Sequence, residues 1–542
     1  MNTEVKRLSR RNFLHMVGRA GGAAAVYETM AAMGLMAVPA AYAGPPRLAS
    51  GSGRGKRIVI LGAGIGGMVA AYEMAKAGYE CLILEARDRS GGRIRTVRGG
   101  DTIYEYAKGS ERILSQHAAF DAGEHMYLNV GAARIPNHHE AVLEYCRRFG
   151  VRLEPLINDN RAAYFHDSGA FGGKPVPSRQ VVHDSRGYIS ELLAKAVNIG
   201  ALDESIDELD RERLLGFIRT YGDLDASMKY SGSHRSGLQL PSGFGPGDAV
   251  VPLDFAELLK SEFWFYKMHF AEGFEYQATM MQPVGGMDHI SAAFAKRVGS
   301  MIAYHQEVTG LFNTDDGVRV TYRDRATHEE NWTLGDFCIC TLPFSVLKDV
   351  PNNFGDARKQ AIAEMPYSNT VKIGLQAERR FWEIDEGIYG GITWTDQDVT
   401  QIWYPSTGYQ QRKGILLAAY IWGGAPAAAV GDMSFDARIA HARAAVEAIH
   451  PNHGTRLTHG VSRAWDRVPY SKGGYAIWST DYRNRNRGNL FGPEGRVYFV
   501  GEHVSHLRAW MEGAVVSAHN AANMISERVK ATGAHLEGRT SA

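Results

Sequence analysis

Residues 57–92 read RIVILGAGIGGMVAAYEMAKAGYECLILEARDRSGG, which sets an apolar run, a glycine-rich turn, a helix-period segment, a second apolar run and an acid in one order. Gly62, Gly64 and Gly67 form G-x-G-x-x-G directly after Ile58–Leu61. The first glycine turns the chain sharply, the second lets backbone N–H groups approach a pyrophosphate, and the third lets helix and strand pack closely. A helix from about Gly66 points its positive end at the phosphates. Glu85 follows Gly62 by 23 positions and ends the second strand, where a carboxylate accepts both ribose hydroxyls. An acid there disfavours a 2′-phosphate, so the pattern specifies a βαβ unit that grips the ADP half of a dinucleotide other than NADP.

At 542 residues with 44% hydrophobic composition, the chain is long enough for two or three domains. A net charge of +1 and the lack of basic stripes with interleaved aromatics argue against nucleic acid. The four cysteines, Cys81, Cys146, Cys338 and Cys340, are too few for a disulfide scaffold and read as buried small hydrophobes; no spacing suits a metal. Ser9-Arg10-Arg11-Asn12-Phe13-Leu14 resembles a twin-arginine export signal, with Ala41-Tyr42-Ala43 as its cleavage site. Residues 1–43 are therefore expected to be a signal peptide, 44–56 a flexible linker, and the protein periplasmic or secreted. The most apolar part, Met30 to Ala43, spans 14 residues and contains Pro39, too short for a membrane span.

The motif after Glu85, E-A-R-D-R-S-G-G-R with Arg87, Gly91, Gly92 and Arg93, resembles the second motif of the flavin amine oxidase superfamily. The far end continues the resemblance: Arg496 to Glu502 reads R-V-Y-F-V-G-E, followed by Trp510 and a helix-like E-G-A-V-V-S-A-H-N-A-A. The resemblance implies FAD as cofactor and a discontinuous α/β architecture. A Rossmann-like FAD-binding domain is expected from 57–100, 275–345 and 465–530, a mixed-sheet substrate domain from 101–175 and 346–464, a helical domain at 176–274 and a flexible tail at 531–542. Gln282 to Asp288 looks like the family's P-x-G-G-M turn and is expected against the flavin. In the helical insert, Ser205-Ile206-Asp207-Glu208 has capping-box spacing, and Ile206, Leu209, Leu214, Phe217, Ile218 and Tyr221 form a stripe read as core packing that ends at Gly222.

Tyr127 to Pro136, Y-L-N-V-G-A-A-R-I-P, looks like the G-x-M-R-[IL]-P element of the L-amino acid oxidases, with Ala133 where methionine is frequent. The resemblance makes Arg134 the holder of a substrate carboxylate, and a guanidinium supplies the planar two-donor fork this needs. His138 and His139 read as the start of a solvated helix. Lys372 lies in an apolar strand at a phase that is ordinarily solvent-facing, yet the resemblance places a lysine here beside flavin N5, where a cation favours electron transfer to dioxygen. Tyr420 resembles the tyrosine that assists the carboxylate clamp, Trp422 lies two residues beyond it, and Trp510 resembles the aromatic wall over the flavin. Trp465 resembles the tryptophan packed on the ring system. Ala509 stands where the family often has glycine, at a backbone contact to the substrate amine.

The resemblance thus assigns Gly62, Gly64, Gly66, Gly67, Glu85, Ala86, Arg87, Gly92, Arg93, Gly131, Ala132, Ala133, Arg134, Val308, Trp465, Gly501 and Glu502 to the cofactor. It assigns Arg134, Tyr420, Trp422, Ala509 and Trp510 to the substrate, and Lys372, Arg134, Tyr420 and Trp510 to catalysis. It implies oxidative deamination of an L-amino acid to 2-oxo acid, ammonia and hydrogen peroxide, with dioxygen as acceptor and a homodimeric enzyme. An amino acid 2-monooxygenase and a non-catalytic FAD-binding partner protein are the alternatives. Phe263, Trp264, Phe265, Phe270 and Phe274 crowd the segment before Gln282 and are expected to help line a wide apolar pocket that favours large apolar and aromatic side chains.

Overall fold

The computed structural model describes residues 42, 44–200 and 207–540, with side chains placed as far as Thr532. The chain divides into two units, Met1–Pro45 and Pro46–Ala542. The export motif lies outside the described residues, and the structure below is that of the second unit.

A five-stranded parallel sheet orders Ile302–Ala303, Glu80–Leu84, Arg57–Leu61, Phe337–Cys340 and Val497–Phe499 side by side. Parallel neighbours need crossover connections, which lets strands far apart in sequence lie side by side, and covering both faces of such a sheet selects continuous apolar runs over alternating ones. Phe337–Cys340 and Val497–Phe499 are buried at every position. Helix Ile65–Lys76 packs so close that a Cβ on Gly67 would meet the Gly62 carbonyl oxygen at 2.1 Å. All four cysteines are free, and burial pushes the Cys340 thiol up to about 12, as befits an inert core residue. Cys81 departs from the expectation in being only partly buried.

A second, seven-stranded sheet is mixed. Its order is Val176–Pro177, Tyr164–His166, Gly391–Thr395, Gln401–Tyr404, Gly414–Ile421, Val371–Ala377 and Leu457–Ala464. Tyr164–His166 pairs parallel to Gly391–Thr395, and the other neighbours run antiparallel. Val371–Ala377 lies between Gly414–Ile421 and the edge strand Leu457–Ala464 and is buried at every position, so strand alternation gives Lys372 no solvent-facing side.

The insert is helical at Ser178–Asn198 and Glu208–Gly222. Ser205 and Ile206 lie outside the described residues; the cap seen is Asp207, whose side chain accepts from the Asp210 N–H at 2.8 Å. The apolar stripe is only partly core. Ile218 is buried and Leu214 packs beside it, whereas Leu209, Phe217 and Tyr221 are exposed. Two-helix packing covers one narrow seam, and residues off that seam stay in solvent.

Helix Glu140–Phe149 has no local side-chain cap. Glu512, from the first turn of Met511–Thr540, instead accepts the Ala141 and Val142 N–H groups at 2.9 Å each. This long-range cap ties the helix after Arg134 to the one after Trp510. Glu512→Ala is expected to cost about 1–2 kcal/mol, read as a lower denaturant midpoint with an unchanged slope.

Candidate functional site

One cavity of ≈ 970 Å³ reaches from the glycine turn of the parallel sheet to the aromatic face of the mixed sheet. Gly62, Gly64, Gly66, Glu85, Ala86, Arg87, Gly92, Arg93, Gly131, Ala132, Ala133, Arg134, Val308, Lys372, Tyr420, Trp422, Trp465, Gly501, Glu502, Ala509 and Trp510 all line it. Gly67 does not; its role is the close helix–strand packing. The Gln282–Asp288 turn also stays out of the lining; Arg98 donates to its Gly285 carbonyl at 2.6 Å and pairs with Asp288.

At the glycine end the chain is built for an anionic dinucleotide. Helix Ile65–Lys76 begins at Gly64 with no side-chain cap, and a Cβ on Gly64 would meet nothing within 4 Å. The free N–H groups of the first turn therefore open on the cavity. Glu85 is buried, and its two oxygens take the Ala63 N–H at 2.8 Å and the Arg87 N–H at 3.0 Å. That leaves acceptor capacity on a fixed carboxylate. Arg87 and Arg93 line the same end of the cavity and bring positive charge to it. These features fit the ADP and pyrophosphate of FAD.

The two terminal half-sites are bolted together by a charge pair. Arg93 Nη1 lies 2.7 Å from Glu502 Oε1 and also donates to the Gly474 carbonyl at 2.9 Å. Glu502 further accepts the Ala509 N–H at 2.9 Å. Arg93 and Glu502 thus face each other, and Glu502 sets the loop that carries Ala509 and Trp510. Ala509 has φ +67°, a left-handed conformation that favours glycine. Arg87 turns to the Pro469 carbonyl at 2.5 Å and to Ser471 Oγ at 2.8 Å. Glu85→Gln is expected to weaken FAD retention about tenfold or more, since a hydrogen bond to a charged group contributes roughly 1.5–3 kcal/mol; equilibrium release of flavin into the filtrate measures it.

At the other end Arg134 is 7% exposed. Its Nη1 donates to Asn158 Oδ1 at 2.6 Å, and Asn158 is held in turn by the Tyr276 carbonyl at 2.8 Å. The guanidinium lies 4.7 Å from the centre of the Trp403 ring, 5.0 Å from Tyr276, 5.2 Å from Phe270 and 5.6 Å from Trp510. Among the described residues no carboxylate pairs with it. Burial lowers its pKa, yet a guanidinium keeps its proton. A fixed cation among aromatic faces lacks only an anion.

Lys372 is 1% exposed and donates to the Gly131 carbonyl at 2.7 Å and the Asn129 carbonyl at 3.0 Å, with its ammonium 4.2 Å from the centre of the Tyr420 ring. Burial, and after it Arg134, lowers its pKa to about 7. Gly131 must be glycine here, for a Cβ would meet the Arg93 carbonyl oxygen at 1.8 Å. Trp465, in the 3-10 turn after strand Leu457–Ala464, donates to the Val130 carbonyl at 2.7 Å, so the Asn129–Gly131 stretch is held from that turn and from the Lys372 strand at once.

The aromatic segment before Gln282 is not the expected wall. None of Phe263, Trp264, Phe265, Phe270 and Phe274 lines the cavity. Phe263 and Phe270 are core, whereas Trp264, Phe265 and Phe274 are exposed. The wall comes from Tyr276 and Trp403, together with Trp422, Tyr475 and Trp510. Tyr276 shares the aromatic run and Trp403 the alternation of Gln401–Tyr404, but nothing local in sequence aims either ring at Arg134. His138 and His139 also depart from the expected solvated start of a helix: His139 is 2% exposed and packs edge-to-face on Trp510 at 5.0 Å.

An ADP cradle joined to an aromatic chamber through a buried lysine defines a flavin-dependent oxidoreductase of amines. A family model described as "Flavin containing amine oxidoreductase" matches residues 65–526, and the chain belongs to that family, with FAD as its cofactor. The chain is 28% identical to the flavin-dependent L-tryptophan oxidase RebO of Lentzea aerocolonigenes, covering 85% of this chain and 96% of that one. It is 25% identical to an L-amino-acid oxidase of Siganus canaliculatus, covering 87% of this chain and 85% of the relative. The fold is shared with cyclohexylamine oxidase from Brevibacterium oxydans IH-35A, at TM-score 0.59 and 18% identity over 88% of this chain and 99% of that one.

Proposed function

We propose that the protein oxidatively deaminates L-amino acids, with large apolar and aromatic side chains favoured, to 2-oxo acid, ammonia and hydrogen peroxide. The observation that carries this reading is Arg134, a buried guanidinium in the cavity wall with aromatic neighbours and no acidic partner among the described residues. An amine without a carboxylate gives that cation no role. Bidentate pairing at Arg134 fixes the substrate carboxylate, and the indole and phenol faces of Trp403, Tyr276 and Trp510 close around the remaining groups. Tyr420, between Lys372 and Trp403, supports the same orientation. Bound FAD supplies the two-electron oxidation at Cα. Lys372 holds a proton-bearing nitrogen at the Gly131 carbonyl, and its positive charge favours transfer of the electrons onward to dioxygen. Two relatives named for L-amino acid and L-tryptophan oxidation support the substrate class.

Export through the twin-arginine route, which rests on the Ser9–Leu14 motif, and a homodimeric state, which rests on the family resemblance, belong to the same proposal. Peroxide release across a panel of L- and D-amino acids and simple amines tests the activity, with kcat/KM highest for Phe, Trp and Leu among L-enantiomers. Amines oxidised better than amino acids, or an amide product in place of a 2-oxo acid, would sink it.

A further inference from the structure

Outside the cavity, the imidazoles of His138 and His139 converge on one carboxylate. His138 Nε2 lies 3.1 Å from Glu275 Oε2, and His139 Nε2 lies 3.0 Å from the same oxygen. One ligand atom from each of the three residues falls within 4.8 Å of the others. Ligands held about 2.0–2.2 Å from a metal ion stand roughly 3.0–3.5 Å apart, so two of the three edges already have the required length, and the third, between the two imidazole nitrogens, is within 4.8 Å. His138 and Glu275 are partly open, with side chains 23% and 30% exposed, while His139 is fixed in the core. An ion therefore has an approach from solvent and an anchor. His138 Nδ1 faces Asn137 Oδ1 at 3.4 Å, the kind of outer contact that orients a ligating imidazole.

We propose that His138, His139 and Glu275 bind a divalent transition-metal ion of the Zn²⁺ class, and that the bound ion clamps the cavity wall carried by Tyr276. Two imidazoles and one carboxylate match the preferences of Zn²⁺, Ni²⁺ or Cu²⁺ and not those of Mg²⁺, which takes oxygen ligands. Three protein ligands leave positions for water. The site joins two elements that both touch the chamber. His139 precedes helix Glu140–Phe149 and packs on Trp510. Glu275 sits in the turn Phe274–Tyr276, beside the ring that faces Arg134. A metal bond between them fixes that turn to the helix start.

Calorimetric titration of the FAD-loaded protein with Zn²⁺ tests this directly and needs no substrate, so its outcome is separate from that of the proposed activity. One Zn²⁺ per chain is expected, uncontested by a hundredfold excess of Mg²⁺, with affinity at least tenfold weaker in both Glu275→Gln and His138→Asn. Equal affinity in the two variants and the parent would overturn the site. Hydrogen exchange over residues 270–280 is expected to slow when Zn²⁺ is added to the parent and to stay unchanged in Glu275→Gln. Binding without that protection would overturn the clamp.

Discussion

Arg134→Met lowers kcat/KM for L-amino acids by at least about two decades while the purified protein stays yellow with FAD. The expectation follows from the partners of the side chain. Asn158 fixes one arm of the guanidinium, four aromatic rings surround it, and no acid neutralises it. Loss of a charge-assisted bidentate pair removes roughly 1.5–3 kcal/mol, and a substrate no longer held at its carboxylate presents Cα in many orientations, which removes more. Two decades correspond to about 2.7 kcal/mol. Methionine fills the space without charge, so the aromatic cluster keeps its packing. Arg134→Lys is expected to recover little, because a single ammonium cannot reproduce the fork. Steady-state peroxide assays on both variants decide it. A near-parental kcat/KM in Arg134→Met would move the carboxylate site elsewhere.

The second large effect concerns Lys372 and falls on the oxygen half-reaction. Lys372→Met is expected to slow reaction of the reduced enzyme with dioxygen by an order of magnitude or more, with a much smaller effect on anaerobic reduction by substrate. Electrostatic stabilisation from a fixed cation in a water-poor site is large and is lost entirely with the charge. The pH dependence follows from the lowered pKa. With burial and then Arg134 holding it at about 7, the group is charged below that value and neutral above it, so the oxygen rate falls as pH rises through about 7. A carboxylate bound at Arg134 offsets the repulsion between the two cations and shifts that limb upward. Stopped-flow mixing of reduced enzyme with oxygenated buffer, with and without a carboxylate ligand, measures both. An unchanged oxygen rate in Lys372→Met would leave the lysine a structural role, bracing the Asn129 and Gly131 carbonyls.

Locally encoded features were legible in the chain itself. The turn at Gly62–Gly67, the strand Arg57–Leu61 and the acid at Glu85 each depend on a few adjacent residues, since glycine alone permits the close approaches and an apolar run alone survives inside a parallel sheet. The motifs around Arg93, Arg134, Lys372 and Glu502 could be read one at a time for the same reason. Their relations could not. The Arg93–Glu502 pair spans 409 positions, and only the parallel pairing of Phe337–Cys340 with both terminal strands makes the two residues neighbours.

The same limit explains the misreadings. Periodicity reports which face of an element is apolar, not whether another element covers it, so the helix Glu208–Gly222 carries a stripe whose Leu209, Phe217 and Tyr221 stay in solvent. Aromatic content near Gln282 said nothing about direction, and the rings that face Arg134 come instead from Tyr276 and Trp403. Lys372 is the sharpest case: strand phase places it in solvent, whereas burial of the Val371–Ala377 strand from both sides makes it a desolvated cation. The sequence by itself determined the FAD cradle and the chemical type of each site residue, because those rest on backbone sterics and side-chain functional groups. Only the tertiary structure decided which charges lose water, which find partners and which rings surround Arg134, because those quantities depend on what other segments bring within a few ångströms.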